Sequence, residues 1–210
     1  MEREEEIPLC PSCNHRHIQG VKCHICGHVG RSQIYSKMKA KANILRSFKF
    51  EVFDSTNLNS YVYGLWEVCT ELRNMIYCNE MMIPGEQEFD QLEQSSRHFI
   101  GILGDAPISI ARWRFLSSDS SSVYAIIDRC GVLQYYRQKG FGRKTLDAVV
   151  SDIRNIATTQ SIDLKGIYIQ VLEEEWMITK LVSLGVKPQN FPVEMRGGKS
   201  FVTLMWDGIA

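Results

Sequence analysis

Long apolar runs are missing from this sequence. No stretch approaches the ~20 residues of a membrane span, and the opening Met1-Glu-Arg-Glu-Glu-Glu6 is the opposite of a signal peptide's basic-then-apolar start. The expectation is a protein that stays inside the cell, cytoplasmic or nuclear, with no membrane partner. Net charge is missing as well: 24 Lys and Arg are cancelled by 24 Asp and Glu, so no overall field argues for nucleic acid and partners must be read locally. What is present is enough for a globular protein. With 44% apolar residues, 210 residues give room for one catalytic domain and a small appendage.

The seven cysteines are unevenly spread. Cys69, Cys78 and Cys130 are scattered in apolar surroundings, whereas Cys10-Pro-Ser-Cys13 and Cys23-His-Ile-Cys26 crowd one short segment. Two Cys-x-x-Cys pairs let four thiolates turn back onto one tetrahedral ion, and Gly27 eases the second turn. The spacing resembles a short zinc ribbon and predicts a structural zinc on Cys10, Cys13, Cys23 and Cys26. A redox Cys-x-x-Cys would leave the second pair unexplained. His15, His17, His24 and His28 lie in the same segment; one replaces a cysteine, or a second ion binds, or all four stay off the metal. With no aromatic residue between the cysteines to stack on a base, the ribbon reads as a brace or a protein contact and nucleic acid as an improbable partner. Residues 1–30 are therefore tail and ribbon. Residues 31–46 are basic without a single acidic residue and read as a connecting helix or linker.

From 47 to 210 the pattern is that of one catalytic domain. Phe48 to Phe53 alternates like a strand, and Leu65, Val68, Cys69, Leu72, Met75 and Ile76 recur at helical intervals until Pro84-Gly85. Arg97–Leu103 and Ile108–Phe115 read as a hairpin about Gly104-Asp105. An apolar run, Tyr124 to Leu133, then breaks into Arg137-Gln-Lys-Gly140-Phe-Gly142-Arg143 and continues as a helix with Leu146, Val149, Val150, Ile153 and Ile156 on one face. Glycines that admit a close approach, the free N–H groups of a helix start, and Arg137, Lys139, Arg143 and Lys144 predict a diphosphate on this turn. A strand over 166–171, a helix over 173–184 and two closing strands follow. The turn lacks the Lys-Ser/Thr of an NTPase phosphate loop and the third glycine of a dinucleotide fingerprint.

Arg137-x-x-Gly140-x-Gly142, in its strand-to-helix frame, resembles the acetyl-CoA signature of the GNAT superfamily of N-acetyltransferases. The element order over 48–206 resembles the GNAT layout too. Leu72-Arg73, Glu86-x-Glu88-x-Asp90, His98, Ala111-Arg-Trp-Arg114 and Asp128-Arg129 resemble a bacterial-type branch of it. The resemblance implies an α/β (α+β) fold with a mixed, mostly antiparallel central sheet flanked by helices, preceded here by the zinc ribbon. It implies acetyl-CoA as co-substrate and direct transfer of acetyl to a primary amine in a ternary complex; the amine is a small one such as an amino sugar phosphate, or one on a peptide or protein. Pantetheine then lies against backbone near Val132 and Leu133, with the Leu133 N–H polarising the thioester carbonyl, and the pyrophosphate takes the N–H groups of Gln138, Lys139, Gly140, Phe141, Gly142 and Arg143.

Deprotonating the amine requires a base. Asp128, in an apolar strand where burial can raise its pKa, is the first candidate; a plain pairing with Arg129 or Arg112 is the alternative. His98 is a second candidate base or a structural histidine, and Glu88 and Asp90 can frame a cationic acceptor. The family's tyrosine acid has no counterpart: ahead of Leu184-Gly185, its position falls on Leu181. Tyr135, Tyr136, Tyr168 or water must then supply the proton, or the domain is a degenerate acyl-CoA-binding module serving as an adaptor through its ribbon.

Overall fold

The computed structural model describes residues 47–54, 60–117, 123–189 and 191–206. The ribbon cysteines and the basic 31–46 segment lie outside the described residues. In chain order come β1 (Phe48–Asp54), helix α1 (Ser60–Arg73) with a π-helical extension (Asn74–Glu80), the single turn α2 (Gly85–Glu88), β2 (Arg97–Leu103), β3 (Ala106–Ser117) and β4 (Val123–Val132). Then follow α3 (Phe141–Thr159), β5 (Leu164–Leu172), α4 (Glu175–Val182), β6 (Lys187–Pro188), β7 (Glu194–Arg196) and β8 (Lys199–Trp206). The hairpin turns at Gly104, whose φ of +63° needs glycine.

All the strands join one sheet ordered β1-β2-β3-β4-β5-β8-β6, with β7 also on β8. Every pairing is antiparallel except β4 with β5. Two cores form because the strands are apolar on both faces. On one face α1 and its extension lay Cys69, Leu72, Ile76 and Tyr77 over Ile100, Ile108, Ile110, Leu133 and Phe201. On the other, Leu146, Val149, Val150 and Ile153 of α3 and Leu181 of α4 meet Phe99, Ala111, Trp113, Ile127, Ile167 and Ile169. Each fully buried Leu, Ile, Val or Phe among them contributes about 1.5–3 kcal/mol of transfer free energy. Cys69 is wholly buried, and that burial pushes its thiol up to about 12, as a core thiol.

One irregularity decides where a ligand can enter. Arg112 pairs with Asp128, but the next pair is Ile110 with Gly131, so β4 carries an extra residue there, and Arg129 takes a φ of +49°. Such a bulge bends a strand and increases its twist. The parallel ladder between β4 and β5 accordingly stops at Ile127–Ile169. Beyond that pair β4 runs on against β3 alone and β5 against β8 alone. The two strands open into a split whose far end is the glycine turn.

Candidate active site

The turn is built around two left-handed residues, Gln138 (φ +61°) and Gly140 (φ +95°). A Cβ at Gly140 meets nothing within 4 Å, and one at Gly142 meets only Val132 Cγ2 at 3.5 Å. Backbone conformation thus demands glycine at 140, while 142 has room for a methyl group. Phe141 starts α3 and is buried with its ring 4.9 Å from Phe48, which pins the helix end in place. Thr145 Oγ1, 2.9 Å from Ser109 Oγ, ties the first turn of α3 to β3. The N–H groups of Phe141, Gly142 and Arg143 lie in that first turn, where an α-helix offers no acceptor and its dipole favours an anion.

The basic side chains are arranged differently from the expectation that all face one phosphate. The Arg137 guanidinium donates from Nε to the Val132 carbonyl at 2.8 Å and pairs with Glu80. Glu80, at the end of the π-helical extension, also accepts the Gln134 N–H at 3.2 Å. Lys139 donates to the Tyr135 carbonyl and lies 4.0 Å from the centre of that ring, and Arg143 pairs with Asp147 at 2.6 Å. Nothing in the sequence points to Glu80; only packing of the extension against the turn brings it there.

Along β4 the structure corrects one expected donor. The Leu133 N–H is spent on the Ile108 carbonyl of β3 at 3.0 Å, so it is not available to a thioester. Antiparallel strands alternate the side to which N–H and C=O point. With Leu133 facing β3, Val132, opposite Ser109, turns its backbone groups toward the split.

Asp128 is also corrected. Burial pushes its carboxyl up, but the hydrogen bonds from Arg112 (2.7 and 2.8 Å) and the charges of Arg112, Arg129 and Arg114 outweigh that and hold it well below the usual carboxylate range. The pairing alternative describes the site, with Arg112 and Arg114 (2.9 Å) as the partners in contact. The same Arg112 reaches Asp90 at 2.7 and 2.9 Å and Glu93 at 2.9 Å. Arg73 holds Glu88 at 2.8 Å and Glu93 at 2.7 Å, and Arg129 lies 3.1 Å from both Glu88 and Asp90. Glu88 is fully buried. The acidic stretch expected to frame a cationic acceptor is thus consumed by arginines.

His98 belongs to this core as well. It is fully buried, stacked on Phe53 (5.1 Å) and edge-on to Trp66 (5.2 Å), with Nε2 3.2 Å from the Glu93 carbonyl oxygen. Burial lowers its pKa to about 4. It stands on β2, separated from the split by β3 and β4. Leu181 is buried in the α3–α4 core, as an apolar side chain at that position requires. Of the tyrosines, Tyr168 lies one residue before the last parallel pair, whereas Tyr135 and Tyr136 belong to the short helical turn after β4. Among the described residues no cluster of three or more His, Cys, Asp or Glu is arranged to hold a metal ion, and no helix is long and apolar enough to cross a membrane.

Known proteins share this fold. No protein-family model matches the chain. Over 84 residues it is 30% identical to the uncharacterized N-acetyltransferase YjcF of Bacillus subtilis, a match covering 39% of this chain and 56% of that protein. The chain thus spans little more than half the length of this curated relative. An acyl-CoA N-acyltransferase from Pseudomonas aeruginosa superposes with a TM-score of 0.57 at 15% identity, over 76% of this chain and 99% of that one. Arabidopsis thaliana NAA60 in complex with acetyl-CoA does so with a TM-score of 0.50 at 13% identity, over 76% and 97%. The fold is that of the GNAT-type acyl-CoA N-acyltransferases: a mixed α/β domain with a central, mostly antiparallel sheet flanked by helices.

Proposed function

We propose that this chain is an acetyl-CoA-dependent N-acetyltransferase that moves acetyl directly to a primary amine in a ternary complex. The observation that carries the reading is the split between β4 and β5 opening beyond Ile127–Ile169 onto the left-handed turn at Gly140. A pantetheine arm fits such a split as an extra strand. The pyrophosphate takes the helix-start N–H groups of Phe141, Gly142 and Arg143 together with Gln138, Lys139 and Gly140, Arg137 joining once it leaves Glu80. In this reading the Val132 N–H, in place of Leu133, donates to the thioester carbonyl as negative charge develops on its oxygen.

The amine nitrogen attacks the carbonyl carbon, the C–S bond breaks, and one proton passes from the amine to the departing thiolate. A carboxyl as acidic as Asp128 is a poor base, so its contribution is the fixed charge it shares with Arg112 and Arg114, and the amine proton leaves through water. His98, sealed in the core, takes no part. Tyr168 is the proposed proton donor to the thiolate: burial, and to a lesser extent Tyr124, push its phenol up, so it keeps its proton at neutral pH.

The test is calorimetric titration with acetyl-CoA of the wild type and of Gly140→Trp, which combines a strained φ with bulk in the turn. Micromolar binding lost in the variant supports the site; no binding by folded wild type overturns it. A second reading, an acyl-CoA-binding module without chemistry, draws on the buried Leu181, and acetyl-CoA binding with no release of free thiol for any amine would favour it. For the four ribbon cysteines the proposal is one structural zinc, checked by metal analysis of the purified chain and of Cys10→Ser.

A further inference from the structure

On its α1 side the sheet is unevenly covered. The π-helical extension sits tightly over the far end of β4, where a Cβ added to Gly131 would stand 2.9 Å from Ile76 Cγ2. Nearer the start of β4 the cover ends. Tyr124 and Ile126 of β4 and Tyr168 of β5 are only half-buried, and Phe191, after β6, is 44% exposed. These rings are ordered against one another. Tyr124 and Tyr168 stack at 5.1 Å and 21°, and Phe191 stands edge-on to Tyr168 at 5.0 Å and 81°. Gly166 makes the arrangement possible, since a Cβ there would already touch the Tyr124 ring at 3.4 Å and Met205 Sδ at 3.5 Å.

The platform ends where the split begins. Tyr168 pairs with Ile126, and the next pair, Ile127–Ile169, is the last before the strands part. Its electrostatics are selective. Arg114, on β3 beside β4, is held by Asp128 at 2.9 Å. Gln170, next along the same face of β5, donates to Glu194 at 2.5 Å and accepts from Arg196 at 3.2 Å. Glu194 is itself 45% exposed and shares its charge with the buried Arg196, whose Nε lies 3.2 Å from Oε1. A half-buried aromatic cluster beside an exposed carboxylate favours an amine on an apolar body over a phosphate. A groove of about 540 Å³ along α1 is lined by Tyr63, Trp66, Glu67, Glu71 and their neighbours. None of its residues belongs to β4, β5 or the glycine turn.

Resting on the acetyltransferase reading above, we propose that Tyr124, Tyr168 and Phe191 form the acceptor site. Its substrate is a primary amine joined by a short chain to an aromatic or branched apolar group. The apolar group of the acceptor lies against the platform and its nitrogen reaches the thioester at the head of the split; the ammonium gives one proton to water before attack, acetyl passes to nitrogen as the C–S bond breaks, and the second N–H proton lost balances the proton taken up by the departing thiolate. The amino sugar phosphate offered by the sequence does not fit this surface.

The experiment follows release of free CoA thiol from acetyl-CoA with four acceptors: phenethylamine, a peptide beginning with phenylalanine, spermidine and an amino sugar phosphate. Phenethylamine or the peptide should exceed the other two by at least about tenfold in kcat/KM, the discrimination available to one apolar contact surface, and whichever of the pair leads identifies the source of the amine. Phe191→Ala, a change at an exposed site, and Tyr124→Ala should each raise KM for the favoured acceptor several-fold while acetyl-CoA affinity stays put. Tyr168→Phe keeps the ring and should lower kcat more than it raises KM. Preference for spermidine or the sugar phosphate, an unchanged KM in both alanine variants, or acetyl-CoA binding without turnover of any acceptor overturns the platform. Failure to bind acetyl-CoA is the separate outcome that overturns the acetyltransferase reading itself.

Discussion

The buried cluster under β3 and β4 and the turn at 137–143 are made from the same materials, arginines and carboxylates, and do opposite work. In the cluster Arg73 and Arg112 are fully buried, and each grips two or more carboxyl groups. In the turn Arg137 and Arg143 are 40% and 46% exposed, and each pairs with one carboxylate. Burial strengthens a charge pair and makes it costly to open, whereas at the surface water replaces either partner at small loss. An incoming anion can therefore take an arginine from the turn but not from the cluster. Charge alone does not mark a site; charge that can be exchanged does.

The largest test breaks the cluster. Arg112→Met keeps the length of the side chain but leaves Asp128 and Asp90 without their main partner. Stranding buried charges this way costs about 3–5 kcal/mol, read as a lower urea midpoint. A loss under about 1 kcal/mol, the level of a surface pair, would mean that water reaches the cluster and that the contrast with the turn is false.

The next is a pH effect from the same core. His98 has its pKa lowered to about 4 in the folded state, against an ordinary value of ~6.5. The unfolded chain therefore takes up a proton first as pH falls, and stability declines between pH ~6.5 and ~4 by on the order of 3 kcal/mol. Asp128, with its depressed pKa, adds stability that is intact above the ordinary carboxylate range and is lost only at lower pH. Unfolding free energies measured across this range should slope in wild type and flatten in His98→Asn between pH ~6.5 and ~4. An equal slope in the variant would remove His98 from the account.

What the sequence could disclose follows the same division. The glycine turn was legible because its signals are local: two glycines, a helix period and a strand lie within a few residues of one another. The hairpin at Gly104-Asp105 and the core face of α3 were legible for the same reason. The fates of Asp128 and of Glu88 and Asp90 were not, because each depends on register. Only the Arg112–Asp128 pairing across β3 and β4 turns a candidate base into half of an ion pair. Leu133 shows how fine the dependence is: one residue of register decides whether an N–H faces β3 or the split. The bulge that opens the split sits at Arg129, a residue type that carries no turn signal.

The smallest effect bears most directly on exchange. Glu80 occupies the turn as an anion would, accepting the Gln134 N–H and pairing with Arg137. A phosphate that binds Arg137 must displace it. Glu80→Gln keeps the shape and the acceptor oxygen but removes the competing charge, so acetyl-CoA should bind several-fold more tightly, a surface pair being worth about 0–1 kcal/mol. The gain should shrink as salt screens the pair, and it should vanish in an Arg137→Gln background, where there is no guanidinium to compete for. Weaker binding by Glu80→Gln would mean that the carboxylate holds the turn in shape for the ligand instead of standing in its place. The turn would then be a built structure like the cluster, and the distinction between fixed and exchangeable charge would have to be drawn elsewhere in the molecule.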